Sequence, residues 1–259
     1  NVVINGTLEN DFKVTANQIE NAITSKTKAL LLCSPSNPTG AVYSKDELEA
    51  IAGVIEKHPN VYVITDEIYE HISFVGKHVS LAEFPAIKER VVVINGVSKA
   101  YAMTGWRIGY IGAPQWLAKA CTKLQGQFTT GPTTIAQKAA VAALNSEQTS
   151  RDEMNKAFMR RRDLIMEELK KVKGLKYNKP EGAFYVFPDC SSYFGKSVNG
   201  KMIENSEDFC IYLLEEAHIA TVPGKAFGEP NCFRISFATS DEKITEAINR
   251  MKNALDKLS

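Results

Sequence analysis

The chain has 259 residues, 44% of them hydrophobic and 24% charged, with a net charge of +1. That is enough for a large core and two domains, and it provides no overall field to draw the molecule to nucleic acid or a membrane surface. No apolar run reaches the roughly 18 residues of a membrane-spanning helix, and the five cysteines, scattered and without a CxxC pair, fit reduced thiols of a cytoplasmic protein better than a disulfide framework or a zinc site.

The chain opens at Asn1, with no initiator Met and no signal-peptide pattern, and enters an apolar run, Val2 to Asn5, that reads as a strand. A start inside an element predicts that the chain is a piece of a longer protein. Thr15-x-x-Gln18 is a capping box and opens a helix to about Thr24. Ala29 to Cys33 reads as a buried strand. A second capping box, Ser44-x-x-Glu47, precedes Leu48, Ile51, Ala52 and Ile55, which fall on one helical face. Strands follow at Val61–Thr65, Val91–Ile94 and Ile108–Ala113, then helices near 115–125 and 133–145. Strands separated by helices predict a mostly parallel sheet covered on both faces.

The second half changes character. Ser150-x-x-Glu153 is expected to cap a long charged helix that runs to Lys173 and stops at Gly174. Short strands (Ala183–Phe187, Ile219–Val222, Cys232–Phe237) then mix with helices near 206–217 and 240–258. The polar stretch 189–204 has no clear period and reads as a surface loop. The expected organisation is α/β, with a large domain over 1–150 and the long helix plus a smaller α+β domain over 151–259.

Ligands of open parallel sheets sit beyond the carboxyl ends of the strands, and polar clusters stand at those ends here. Ser34-Pro35-Ser36-Asn37-Pro38-Thr39-Gly40 follows the 29–33 strand. Asp66-Glu67-Ile68-Tyr69 follows the next, and Ser98-Lys99 the one after, with Arg107 opening the last. A serine hydroxyl and an arginine fork suit a phosphate. An aspartate suits a protonated ring nitrogen, and an asparagine amide with a tyrosine hydroxyl suits a phenolate oxygen. A lysine amine can condense with an aldehyde. One small molecule carries all four groups, pyridoxal phosphate. Singly, each residue has a plainer explanation: a loop lysine is usually a solvated charge, and an aspartate after a strand is usually a turn residue. Their joint order carries the argument. His58, His71, His78 and His218 show no metal spacing, so no metal is expected.

SPSNPTG, DEIY and VSKAYAMTGWRIGY, in this order, with EGAFYVFP and FRISFATS further on, resemble the fold-type I aminotransferases of classes I and II, most closely the bacterial aspartate aminotransferases. The resemblance covers essentially the whole chain but not the start of the family pattern. It implies the aspartate aminotransferase-like fold, pyridoxal 5'-phosphate as cofactor, and ping-pong transfer of an amino group between an L-amino acid and a 2-oxo acid, aspartate with 2-oxoglutarate for preference. It implies catalytic roles for Lys99, Asp66 and Tyr69. Lys99 would hold the cofactor covalently and move the substrate proton, and Asp66 would face the ring nitrogen. Asn37 and Tyr69 would bond the ring oxygen, Ser98 and Arg107 the phosphate, and Arg234, with Asn37, the substrate carboxylate. It further implies a cis Asn37–Pro38 bond and a homodimer, with residues 126–134 approaching the partner's cofactor phosphate. Nucleic acid and membrane are not expected partners. The alternatives are a C–S or other β/γ-lyase on the same cofactor, and a non-catalytic effector-binding domain or inactive fragment of the same fold.

Overall fold

The computed structural model describes residues 1–198 and 200–259. They form two compact units, and each is built from more than one stretch of chain. The first comprises Asn1–Ile4, Lys13–Pro35 and Val42–Asn155, the second Asn5–Phe12, Ser36–Ala41 and Lys156–Ser259.

The first unit begins with α1 (Ala16–Ala22), where both halves of the Thr15–Gln18 capping box form. Strand β1 (Ala29–Cys33) and helix α2 (Lys45–Lys57) follow, and the Ser44–Glu47 box is likewise complete. Then come β2 (Tyr62–Asp66), β3 (Val91–Gly96), β4 (Gly109–Gly112), α3 (Gln115–Phe128) and α4 (Thr134–Asn145). The sheet order is β1-β2-β3-β4. The first three strands are parallel, and β4 returns antiparallel on β3. Ile19, Leu32, Leu48, Ile51, Ile55, Val63 and Val91 pack into one core, joining the apolar stripe of α2 to the sheet. Helix α3 buries none of its residues, and Trp116, Leu124, Phe128 and Ile135 are exposed along α3 and α4.

The long helix α5 (Thr149–Leu169) leads into the second unit. There β5 (Tyr185–Val186), β8 (Val222–Pro223) and β9 (Phe233–Ser236) make a sheet of order β5-β9-β8, and β6 (Ser197–Val198) pairs with β7 (Lys201–Met202). Helix α6 (Ser206–Ala217) starts under Asn205, whose Oδ1 accepts the backbone N–H groups of Glu207 and Asp208. Helix α7 (Asp241–Leu255) buries Ile244, Ile248, Met251 and Leu255, one face at helical spacing. Phe187, Phe209, Phe233 and Phe237 are fully buried.

Four expectations need correction. Val2 to Asn5 is not a strand; it pairs with no described strand, and Val2 and Val3 stay exposed. Ser150 does not cap α5, because the helix already includes Thr149. The helix also ends at Leu169, ahead of Gly174, although Gly174 does take the left-handed φ of +85° foreseen for a stop signal. The 189–204 stretch is more ordered than a loop: it holds a 3-10 turn at Ser191–Tyr193 and the β6–β7 pair, short elements that leave no period to read. Residue 199, within it, lies outside the described residues. Among the described residues no helix is long and apolar enough to cross a membrane.

Candidate active site

Parallel register brings the strand ends of the first unit to one line. Cys33 pairs with Asp66 across β1–β2, and Asp66 with Ile94 across β2–β3. Asp66 therefore closes β2 beside the strand that runs into the lysine loop. Its Oδ1 accepts the N–H of Ile68 at 3.1 Å, a local turn that sets the carboxylate. The chain then turns through Tyr69, which is buried, and the Lys99 amine stands 5.8 Å from the centre of the Tyr69 ring.

The loop after β3 is held from below. Val97 and Ala100 are buried while Ser98 and Lys99 are only partly covered. Gly96 allows the close approach of β4: a Cβ there would stand 2.8 Å from the Ile108 carbonyl oxygen. Arg107 ends a 3-10 turn with a left-handed φ of 56°, and its Nη1 donates to the Thr104 carbonyl at 2.9 Å. That strained backbone redirects the chain into β4 and leaves the remaining guanidinium donors available along the loop. Ser98, Lys99 and Arg107 line one cleft of about 340 Å³ with Ile68, Thr104, Ile108 and Gly109. Two cations and a hydroxyl on one cleft are groups of the kind that suit a phosphorylated anion.

Glu70, next to Tyr69, is half-buried. Burial would push its carboxyl up, but the hydrogen bond and charge of His71, with help from Asn95 and His78, hold it below the usual carboxylate range. Burial, together with the charges of Glu70 and Tyr101, pushes the Tyr110 hydroxyl up.

In the second unit, Arg234 lies on β9 between the buried Phe233 and Ile235, so alternation sends it to the other face, as the sequence pattern predicts. Its Nη1 donates to Asn37 Oδ1 at 2.8 Å. The guanidinium stacks 4.5 Å from the Tyr185 ring centre and 5.0 Å from that of Phe227. Asn37 sits in a loop that is tied down on several sides. Glu181 and Gly182 donate their backbone N–H groups to the Gly40 carbonyl, and Asn178 Nδ2 donates to the Thr39 carbonyl at 3.3 Å. The Asn37–Pro38 bond is cis, and so is Ser34–Pro35. Gly40 has φ of +68°, and a Cβ there would stand 2.5 Å from Pro180 Cβ. The SNPTG and EGAF motifs are thus one packed unit.

The structure brings Ser98, Lys99 and Arg107 together in one unit, with Asp66 and Tyr69 on the adjoining strand end, and Asn37 with Arg234 in the other. Sequence reasoning missed Ile68 and Thr104 in the cleft wall, and Tyr185 and Phe227 beside Arg234. The last two are aromatic residues in strand-rich segments and give no signal apart from core. No group of three or more His, Cys, Asp or Glu residues among those described is placed to hold a metal.

The sequence profile of the family described as aminotransferase class I and II matches residues 2–251. A Petunia hybrida protein named bifunctional aspartate aminotransferase and glutamate/aspartate-prephenate aminotransferase is 46% identical over 98% of this chain and 54% of its own length. A Rickettsia felis protein named probable aspartate/prephenate aminotransferase is 50% identical over 100% of this chain and 64% of its own. The crystal structure of the aspartate aminotransferase from Rhizobium meliloti superposes with a TM-score of 0.91 at 47% identity, covering 96% of this chain and 63% of that one. The chain therefore spans between half and two thirds of the length of these relatives. At this identity and coverage the conclusion is direct: the chain belongs to the class I and II aminotransferase family.

Proposed function

We propose that the chain carries the cofactor-holding groups and the carboxylate-gripping arginine of a pyridoxal phosphate-dependent aminotransferase. The preferred amino donor is L-aspartate and the acceptor 2-oxoglutarate. Residues 1–150 would form the cofactor domain and 151–259 the linking helix and small domain. The observation that supports this most is the joint lining of one cleft by Ser98, Lys99 and Arg107, with Asp66 ending the strand next to the one that delivers them.

The residues present fit the cofactor. Ser98 and Arg107 would hold its phosphate, Lys99 its aldehyde carbon and Asp66 its ring nitrogen. Tyr69 and Asn37 would hold its ring oxygen. Asn37 already accepts through Oδ1 from Arg234, so its amide N–H is what it can offer an oxyanion. Bound there, pyridoxal phosphate supplies an aldehyde carbon to carry the amino group and a ring that accepts electrons as the α-proton leaves. The chain supplies the rest. Asp66 would keep a proton on the ring nitrogen, Lys99 Nζ would accept and return the α-proton, and Arg107 and Ser98 would anchor the far end. In the second unit, Arg234 presents a planar fork that suits an α-carboxylate, with two aromatic rings limiting its rotation.

A homodimer is part of the reading, supported by the exposed apolar residues of α3 and α4, and residues 126–134 would approach the partner's phosphate. A cytoplasmic location fits the reduced cysteines. The relatives' names add prephenate as a second acceptor to test.

Titration with pyridoxal phosphate, followed by a panel of amino and oxo acids, tests the proposal. We expect a visible band that depends on Lys99, and conversion of aspartate plus 2-oxoglutarate to oxaloacetate plus glutamate. Absence of the band overturns the reading; pyruvate and ammonia formed without an oxo acid would identify a lyase instead.

A further inference from the structure

Between Asp66 and Tyr69 lies a residue to which the proposed chemistry assigns no role. Glu67 is 3% exposed. Both of its carboxylate oxygens are engaged by residues that lie 11 and 13 positions later in the chain. Oε2 is 3.0 Å from His78 Nε2, and Oε1 accepts the Ser80 hydroxyl at 2.8 Å. Its backbone is bonded too: its N–H donates to the Ile94 carbonyl at 2.9 Å, and its carbonyl accepts the Glu70 N–H at 2.8 Å. Ser80 is itself anchored, because its hydroxyl accepts the Ala82 N–H at 3.2 Å.

The segment 67–80 is therefore a loop closed at its neck by one buried side chain. Asp66 enters it, Tyr69 lies in its first turn, and Val75, Gly76 and Lys77 form its exposed tip. A buried carboxylate is an expensive way to close a loop; an apolar contact of the same size would serve stability as well. What a doubly bonded carboxylate adds is direction. Asp66 is the last residue of β2 and Glu67 the next, with its N–H on the Ile94 carbonyl, so fixing the Glu67 side chain restricts the backbone that carries Asp66.

We propose that Glu67 is a positioning residue: its clasp with His78 and Ser80 sets the Asp66–Tyr69 turn that faces the cofactor ring. The inference rests on the pyridoxal phosphate reading above, and its test has one arm that does not.

In the first arm, hydrogen exchange is measured on the protein without added cofactor. Glu67→Ala should speed exchange at the amides of residues 68–72 by at least about tenfold while leaving residues 63–65 of β2 unchanged, and Glu67→Gln, which keeps an acceptor and a donor in place, should stay within about threefold of wild type. In the second arm, the circular dichroism induced in the visible band of bound pyridoxal phosphate is measured per bound cofactor. Glu67→Ala should lose at least half of it, and Glu67→Gln should restore most of it. If Glu67→Ala does not fold, His78→Ala removes one bond only and should show the same pattern at smaller size. Unchanged exchange at 68–72, an equal rise throughout β2, or an unaltered dichroism in a variant with a loosened turn each overturns the proposal. A wild-type protein that gives no band with pyridoxal phosphate overturns the cofactor reading instead, while the exchange arm still decides whether the clasp orders the turn.

Discussion

Arg234 and Asn37 are 197 positions apart in the chain, yet the guanidinium Nη1 donates to the amide oxygen at 2.8 Å. Two aromatic rings flank the same guanidinium, so the fork is held before any ligand arrives. Lysine could keep the charge but not the planar fork or the stacking. We expect Arg234→Lys to lower kcat/KM for a dicarboxylic amino acid by about 10- to 100-fold, or about 1.4–2.8 kcal/mol. The melting temperature should hardly move. Steady-state kinetics with a melting curve checks this; an unaltered kcat/KM would remove Arg234 from the site.

The Lys99 amine stands above the Tyr69 ring and shares its cleft with Ser98 and Arg107. Lys99→Ala removes both the attachment and the proton carrier. Turnover should fall at least about 10³-fold, the upper part of what a positioned acid or base contributes. Borohydride reduction of the loaded protein, followed by peptide mass spectrometry, should find the cofactor mass on the peptide containing residue 99 in wild type and nowhere in the variant. The mass on another lysine would refute the assignment.

Much of this was legible because the relevant physics is local. Thr15–Gln18 and Ser44–Glu47 announce helix starts through chemistry confined to four residues, and both form. The rim residues Asp66, Ser98 and Lys99 could be read because a parallel sheet puts strand ends side by side. What stayed hidden depends on distant partners. Val2 and Val3 have strand-like side chains, but a strand exists only with a neighbour to bond. Glu67 looks like any solvated carboxylate until the chain returns at His78 and Ser80. Tyr185 and Phe227 become companions of Arg234 only in three dimensions.

Gly40 holds the SNPTG loop against the EGAF segment with a left-handed φ of +68° and no room for a side chain. Gly40→Ala therefore meets two penalties, an unfavourable backbone and a 2.5 Å approach to Pro180 Cβ. Together they should cost about 2–4 kcal/mol, lowering the melting temperature by very roughly 4–16 °C for a chain of this size. Thermal unfolding measures it, and a loss below 1 kcal/mol would mean that the loop shifts freely.

Three cysteines, Cys190, Cys210 and Cys232, are buried, whereas Cys121 is exposed on α3. Burial pushes the Cys190 and Cys232 thiols far above the ordinary thiol range, and the Cys210 thiol also upward. The thiolate is the reactive form, so these three should resist a disulfide reagent at pH 8 in the native protein and react in denaturant. Mass mapping after a short exposure checks the order; early labelling of Cys190 or Cys232 would contradict the packing of the second unit.

Glu70 supplies a prediction whose sign follows from its partners. Burial opposes its ionisation, yet His71, with Asn95 and His78, holds its carboxyl below the usual carboxylate range. A carboxyl lowered on folding stabilises the native state at pH values above its unfolded pKa. That contribution drains away as pH falls through the folded value. Replacing Glu70 with Gln removes the titration while preserving shape. At pH 7 the variant should be less stable than wild type by about 0.5–1.5 kcal/mol, the worth of one such bond. Below the folded pKa the two proteins should converge. Urea denaturation across pH 3–7 gives both curves. A stability difference that is constant with pH would mean that the His71 contact contributes through packing rather than charge.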